Sequence, residues 1–385
     1  VSRTFLRGAD VVLPDRVAER HTVVLDRGVI ADIVSGSPAV AAGDTAVDLD
    51  GQIIAPGFID AHVHGVLGRD VLEGEGAVTA VSVALPRFGV TGFCPTSVAC
   101  SATTLETFLA EVRRLQDDSG DGARVFGAHL ESNFLSPEYR GAQPGEWLRE
   151  PAVAPDILAV IDRHRMSIAI VTMAPEIEGG LGLVRDLTRH GIRVSIGHSA
   201  ATFQEATAAF ALGATRVTHL FNRMPPVTHR HPGLAGAALA DASVVVEVIV
   251  DGHHVHPAML KMVVGAKGSR RVVAITDGTA GSGLPEGSHA SLGGRPVLVG
   301  ATATLEDGTI AGSVATMDRV FARLVTDVNC TLVQAAAMCA TTPAEDLRQP
   351  RFGRIASGAA ADLVVLTRDL RVSETWIDGR RVFHN

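Results

Sequence analysis

Lysine is almost missing from this chain: only Lys261 and Lys267 occur among 385 residues, so nearly all positive charge is arginine. With a net charge of −8, the chain lacks the clustered cations that phosphate backbones require, which argues against a nucleic-acid partner. Aromatic residues make up only 4%, leaving Ala, Val, Leu and Ile to supply the core. No apolar run approaches the roughly 18 residues of a membrane span, so no membrane partner is expected. Residues 1–7 carry charge with no long apolar region after it, and do not read as a signal peptide. The four cysteines, Cys94, Cys100, Cys330 and Cys339, form no CxxC pair and read as reduced thiols in a cytoplasmic protein.

What is present points to a large α/β fold. Hydrophobic residues reach 46% and glycines number 40, enough for a sizeable core in a chain of barrel length. Residues 4–50 and the C-terminal stretch read as short β-segments, and Asp378-Gly379 between two strand-like runs signals a hairpin. The two ends are expected to form one small β-sandwich domain, residues 1–50 plus 354–385. Between them, residues 51–353 alternate apolar runs with helical stretches. Eight runs begin at Gln52, Thr91, Arg124, Ile168, Arg193, Arg216, Val244 and Val272. That rhythm predicts a (β/α)8 TIM-like barrel. An open doubly wound sheet is disfavoured because no Gly-rich nucleotide loop follows the first run.

Barrel chemistry gathers just past the C-terminal ends of the strands. The first apolar stretch, Pro56-Gly57-Phe58-Ile59-Asp60-Ala61, runs into His62-Val63-His64, and residues two apart on a strand share a face. Glu131 follows the third run, His198 the fifth, His219 the sixth, Asp251 and His254 the seventh, and Asp277 the eighth. Metal-type ligands recurring at one rim predict a metal site. Glu131, His198 and His219 offer one carboxylate and two imidazoles, a set that leaves a coordination position open for water. A metal there lowers the water's pKa and supplies hydroxide, while Asp277 can take its proton and pass it to a leaving group. Hydrolysis of a C–N bond fits. The fourth run ends in Met173-Ala174-Pro175-Glu176, with neither lysine near, which excludes a bridging carbamylated lysine. One tightly held divalent ion is therefore favoured, with His62 and His64 holding a second or none. Zinc, iron, manganese and cobalt all suit the donors.

Taken in order, several motifs resemble the amidohydrolase superfamily and, within it, the N-acetylglucosamine-6-phosphate deacetylases. They include Pro56 to Gly65, His129-Leu130-Glu131, Gly141-Ala142-Gln143, Gly197-His198-Ser199, Thr218-His219-Leu220-Phe221-Asn222, His254-Val255-His256-Pro257 and Thr276-Asp277. The resemblance implies that Glu131, His198 and His219 hold the metal, most simply zinc, and that Asp277 is general base and acid. It implies that His254 and Arg230 contact a sugar phosphate, helped by backbone near Asn222, and that Gln143 lies on a mobile loop near the substrate carbonyl. It further implies a homodimer removing acetate from the 2-acetamido group of a phosphorylated amino sugar. Two departures stand out: Glu131-Ser132-Asn133 where the family has Glu-Gly-Pro, and Asn222-Arg223-Met224 where it has Asn-Ala-Met. Either the substrate is unchanged, with Arg223 turned to solvent, or Arg223 grips a differently placed anionic group on another N-acyl amino sugar. Another C–N hydrolase of the superfamily, acting on a cyclic amide or an N-acyl amino acid, is the remaining enzymatic alternative. A catalytically silent scaffold is the non-enzymatic one.

Overall fold

Eight parallel strands form the centre of the computed structural model, which describes residues 2–117 and 120–385; Val1 of the N-terminal stretch lies outside them. They are β1 (Phe58–Val63), β2 (Val90–Ser97), β3 (Arg124–Val125 with Ala128–Glu131), β4 (Ile168–Met173), β5 (Arg193–Ile196), β6 (Arg216–Val217), β7 (Val245–Ile249) and β8 (Val272–Ile275). β3 is interrupted at Phe126-Gly127, where Gly127 adopts φ 122°. Each strand is rich in Val, Ile and Ala, as parallel strands covered on both faces must be. A helix follows every strand: Ala77–Ala84, Ala102–Asp117, Pro155–Arg163, Gly180–Arg189, Phe203–Ala211, Gly233–Ala240, Pro257–Lys267 and Met317–Thr326. The parallel ladder runs unbroken from β1 to β8. Closure then falls to the segment after β8. Asp277 N–H donates to His62 O at 3.0 Å, and His64 N–H donates to Gly278 O at 2.8 Å. The α/β barrel expected from the sequence is the fold observed.

Inward-facing Ile59, Ala61, Cys94, Ile170, Ile249 and Ile275 fill the barrel interior, joined by Ala344 and Leu347. The short helix Thr342–Asp346 thereby plugs one end of the barrel and leaves the other for chemistry. A three-stranded insertion, His289–Leu292, Arg295–Val299 and Ala303–Thr304, projects after β8 and packs beside the site. Among the described residues no helix is long and apolar enough to cross a membrane.

The two termini build one eight-stranded mixed sheet. Its two ends share a core that includes Leu6, Val11, Val23, Ile30, Leu363, Val365 and Trp376. The Asp378-Gly379 hairpin is present, both residues at positive φ (51° and 69°) between Val372–Ile377 and Arg380–His384. One expectation is corrected. The run beginning at Gln52 is not the first barrel strand, because Ile53–Pro56 pairs with Leu363–Leu366 and with Thr4–Val12 in the terminal sheet. Gly57 separates it from β1, and Thr91 crowds Gly57 so closely that any Cβ would collide with it at 2.3 Å.

Local signals act where the sequence places them. Thr202 caps the helix Phe203–Ala211 in a reciprocal box with Glu205, its hydroxyl accepting from Glu205 N–H at 3.3 Å. Thr202→Ala is expected to destabilise the chain by about 1 kcal/mol, read as a lower denaturant midpoint with unchanged slope.

Candidate metal centre

The site side chains gather at the C-terminal ends of the strands, with His62 and Glu131 inside β1 and β3 and three others in abrupt turns beyond. His198, His219 and Asp277 lie two residues past the ends of β5, β6 and β8, at φ 46°, 29° and 49°. Left-handed backbone is costly for residues other than glycine and concentrates at functional sites. His62 and His64, two apart, place their Nε2 atoms 3.3 Å from one another. Behind them, His62 Nδ1 meets Glu247 Oε2 at 3.1 Å and His64 Nδ1 meets Thr96 O at 2.9 Å. Tyr139 O likewise takes the Nδ1 hydrogen of His198 at 2.9 Å. These acceptors fix the proton on Nδ1 and turn Nε2 inward, the orientation of imidazole ligands. His219 Nδ1 is buried with no hydrogen-bond partner among the described residues.

The inward atoms converge on Glu131. Its Oε1 lies 3.0 Å from His198 Nε2 and 3.1 Å from His219 Nε2, and those two nitrogens are 3.1 Å apart. His62 and His64 flank the other side, each 3.6 Å from a Glu131 oxygen and 3.2 Å from Asp277 Oδ1. Two imidazole nitrogens facing at such distances repel as lone pairs and clash if both are protonated. A cation between them resolves both conflicts, and a mixed nitrogen and carboxylate set suits a divalent one. Both His62–His64–Glu131 and Glu131–His198–His219 have this ligand geometry. The demand for positive charge also shows in pKa values. Burial pushes the His64 imidazole down, but its hydrogen bond to the Asp277 carboxylate and the Glu131 charge outweigh it and raise it to about 9. Burial raises the Glu131 carboxyl, yet His198 and His62 hold it well below the usual range.

His129 is set apart. Its Nδ1 donates to Ala61 O at 3.0 Å and its Nε2 accepts from Thr172 Oγ1 at 2.7 Å, and burial pushes it down to about 3. It is a neutral strut inside the barrel.

A cavity of about 490 Å³ opens over the centre. His254 lines it, and Asp251 Oδ2 holds the His254 Nδ1 hydrogen at 2.6 Å. Burial pushes Asp251 up, but the His254 hydrogen bond and charge bring it down to about 2, so the orienting carboxylate stays ionised. Asn222 lines the cavity while its Nδ2 donates to His219 O at 3.2 Å, closing the turn that carries the ligand. Arg223, at φ 52°, lies along the wall, its side chain making one hydrogen bond among the described residues, to Ile310 O at 3.3 Å. Its guanidinium passes over Gly141, where a Cβ would come within 2.5 Å of Nε. Arg223 therefore faces the cavity and is not turned to bulk solvent.

Other expectations fare differently. Gln143 lines the cavity but is anchored: Oε1 accepts from Ala99 N–H at 2.8 Å and Nε2 donates to Glu131 Oε2 at 2.5 Å. Because a backbone N–H can only donate, the amide orientation follows, and Gln143 here braces Glu131. Arg230 is not brought to the cavity of its own chain. The turn from Thr228 to His231 closes on itself and leaves Arg230 exposed beside a neighbouring depression lined by Thr202, Phe203 and Pro225. Ser132 and Asn133 are buried and committed to main-chain carbonyls, Ser132 Oγ to Thr172 O at 2.7 Å and Asn133 Nδ2 to Cys100 O and Trp147 O, each at 2.8 Å. Sequence reasoning missed Glu138, Leu292 and Ile310 on the cavity wall, and Glu247 behind His62. Of these only Glu247 carried a signal, as a lone charge inside the apolar run from Val244 to Ile249.

Comparison with known proteins shows what the whole chain resembles. The amidohydrolase family model matches residues 53–382. The N-acetylglucosamine-6-phosphate deacetylase of Vibrio furnissii is 36% identical over 88% of this chain and 85% of its own. The N-acetylgalactosamine-6-phosphate deacetylase of Escherichia coli O157:H7 is 32% identical over 97% of this chain and 98% of its own. Among solved structures, a variant of the Mycobacterium smegmatis N-acetyl-D-glucosamine-6-phosphate deacetylase in complex with N-acetyl-D-glucosamine-6-phosphate superposes with TM-score 0.91. That match has 32% identity and covers 99% of this chain and 100% of the other.

Proposed function

The chain belongs to the amidohydrolase family, and from that premise we propose that it removes acetate from the 2-acetamido group of N-acetylglucosamine 6-phosphate. The observation that carries the reading is the convergence of Glu131, His198, His219 and Asp277 at the floor of a cavity whose walls present Arg223 and His254. Glu131, His198 and His219 would hold a divalent metal, proposed as zinc, which when bound would supply Lewis acidity to the amide oxygen and lower the pKa of the attacking water. His62 and His64 offer a second position. Asp277 lies beside both of them; burial raises its carboxyl, but the two imidazoles keep it ionised below the usual value. It accepts the proton of the attacking water and delivers it to the departing amine nitrogen, giving acetate and the free amino sugar. Gln143 holds Glu131 in place, and Asn222 holds the His219 turn. His254 and Arg223 take the anionic end of the substrate.

Release of acetate from N-acetylglucosamine 6-phosphate by metal-replete protein is the direct test, and absence of release would overturn the proposal. N-acetylgalactosamine 6-phosphate is the second reading, because the Escherichia coli N-acetylgalactosamine-6-phosphate deacetylase is as similar to this chain as near full-length N-acetylglucosamine-6-phosphate deacetylases are. The ratio of kcat/KM for the two epimers decides between them. Loss of a charge-assisted hydrogen bond is worth about 1.5–3 kcal/mol, so Arg223→Ala should raise KM for the phosphorylated sugar by roughly 10- to 100-fold. Hydrolysis of unphosphorylated N-acetylglucosamine should stay within about threefold, as expected if the guanidinium meets only the phosphate. The homodimer is proposed alongside, with light scattering at twice the chain mass as its check.

A further inference from the structure

We infer that Glu247, held by Arg216, is the positioning residue that opens His62 to a cation and so decides whether the His62–His64 position is filled. The inference rests on the metal reading of the site and adds to it a control built below the rim.

Glu247 lies in the middle of β7 and Arg216 begins β6; both side chains are fully buried. Glu247 Oε1 meets Arg216 Nη2 at 2.5 Å, and Asp346 of the plugging helix pairs with the same guanidinium. Buried ion pairs are poor devices for stability, because attraction seldom repays the desolvation of both charges. The second oxygen shows what this pair does. Glu247 Oε2 lies 3.1 Å from His62 Nδ1 and 3.4 Å from the His219 backbone nitrogen. One carboxylate thus stands behind a ring of the first ligand pair and the turn of the second.

His62 is contested from two sides. Asp277 Oδ1 lies 3.2 Å from its Nε2, in front, and Glu247 lies behind its Nδ1. If the hydrogen sits on Nε2, it bonds to Asp277 and His62 cannot ligate. If it sits on Nδ1, it bonds to Glu247 and the Nε2 lone pair points at the cation position. Arg216 keeps Glu247 an anionic acceptor, which selects the second state. The other imidazoles are oriented differently: His64 and His198 lean on neutral carbonyls, and His219 Nδ1 on nothing among the described residues. Of these four imidazoles, only His62 has a carboxylate behind its Nδ1 among the described residues, an arrangement that also raises ligand basicity.

The test uses the full chain stripped of metal and titrated with zinc alone, with histidine 15N shifts recorded before zinc is added. Wild type should bind one zinc tightly and a second more weakly, with His62 protonated on Nδ1. Arg216→Met/Glu247→Leu removes both charges together, and Asp346, which also pairs with Arg216, keeps its ion pair with Arg193 at 3.9 Å. It should shift the His62 hydrogen to Nε2 and weaken the second zinc by roughly 10- to 100-fold, with the first changed by less than about fivefold. Glu247→Gln keeps a neutral acceptor and should fall between. A folded double variant with unchanged His62 shifts and unchanged second-site affinity would overturn the inference, as would a wild type that binds only one zinc up to millimolar concentration. A wild type that binds no zinc at all overturns the metal reading itself, a separate result.

Discussion

Asp277→Asn should lower kcat for deacetylation by on the order of 10³-fold while KM stays within a few-fold. An amide has nearly the shape of the carboxylate and can keep contacts with the His62 and His64 ring nitrogens, each 3.2 Å from Oδ1 in the wild type. What it loses is the capacity to take a proton and return it. Both halves of the reaction need that capacity, since water must lose a proton to attack and the amine must gain one to leave. Substrate binding should survive if, as proposed, His254 and Arg223 on the cavity wall take the anionic end of the substrate. The discriminating measurement pairs kcat with metal content. Lost activity with full metal at Glu131, His198 and His219 assigns Asp277 to proton transfer. Lost activity with lost metal would make it a ligand instead.

The site was legible in the sequence to the extent that it depends on strand ends. His198, His219 and Asp277 lie two residues past the strands that the apolar runs form, and the C-terminal rim of a barrel is where such residues meet. The His62-Val63-His64 alternation likewise survives folding, because His62 in β1 and His64 just past its end bring their rings to one point. Less legible was anything set by the path of a loop. Arg230 and Arg223 look equally able to bind an anion in the sequence, but a turn from Thr228 to His231 sends one outward. Ser132 and Asn133 look like new groups beside a ligand, yet free carbonyls on neighbouring segments absorb them. Partition between sheets was hidden for another reason. Ile53–Pro56 and Phe58–Val63 are both short and apolar, and periodicity cannot tell that Gly57 hands the chain from one sheet to another.

Stripping the metal with a strong chelator should abolish turnover and lower the melting temperature together, and this coupling is the more demanding prediction. The metal-free centre is in electrostatic conflict: His198 and His219 face one another at 3.1 Å and His62 and His64 at 3.3 Å, around two buried carboxylates. A cation bound to the folded state alone, at about 1,000 times its Kd, stabilises it by about 4 kcal/mol. Spread over the unfolding entropy of 385 residues, at about 2.1 cal/mol/K each, that corresponds to a fall of roughly 5 °C. Glu131→Gln should mimic chelation in a way that added metal cannot rescue. Its carboxylate is shared between the two histidine pairs, and Gln143 already presents an NH2 group to Oε2 at 2.5 Å. A second amide there sets either NH2 against NH2, or its own NH2 against the imidazole nitrogens. The chelated wild type should therefore recover activity and melting temperature on zinc addition, and Glu131→Gln neither. Recovery of the variant would place the principal cation elsewhere, and a chelated wild type that keeps its melting temperature would show that the facing imidazoles are relieved by protons alone.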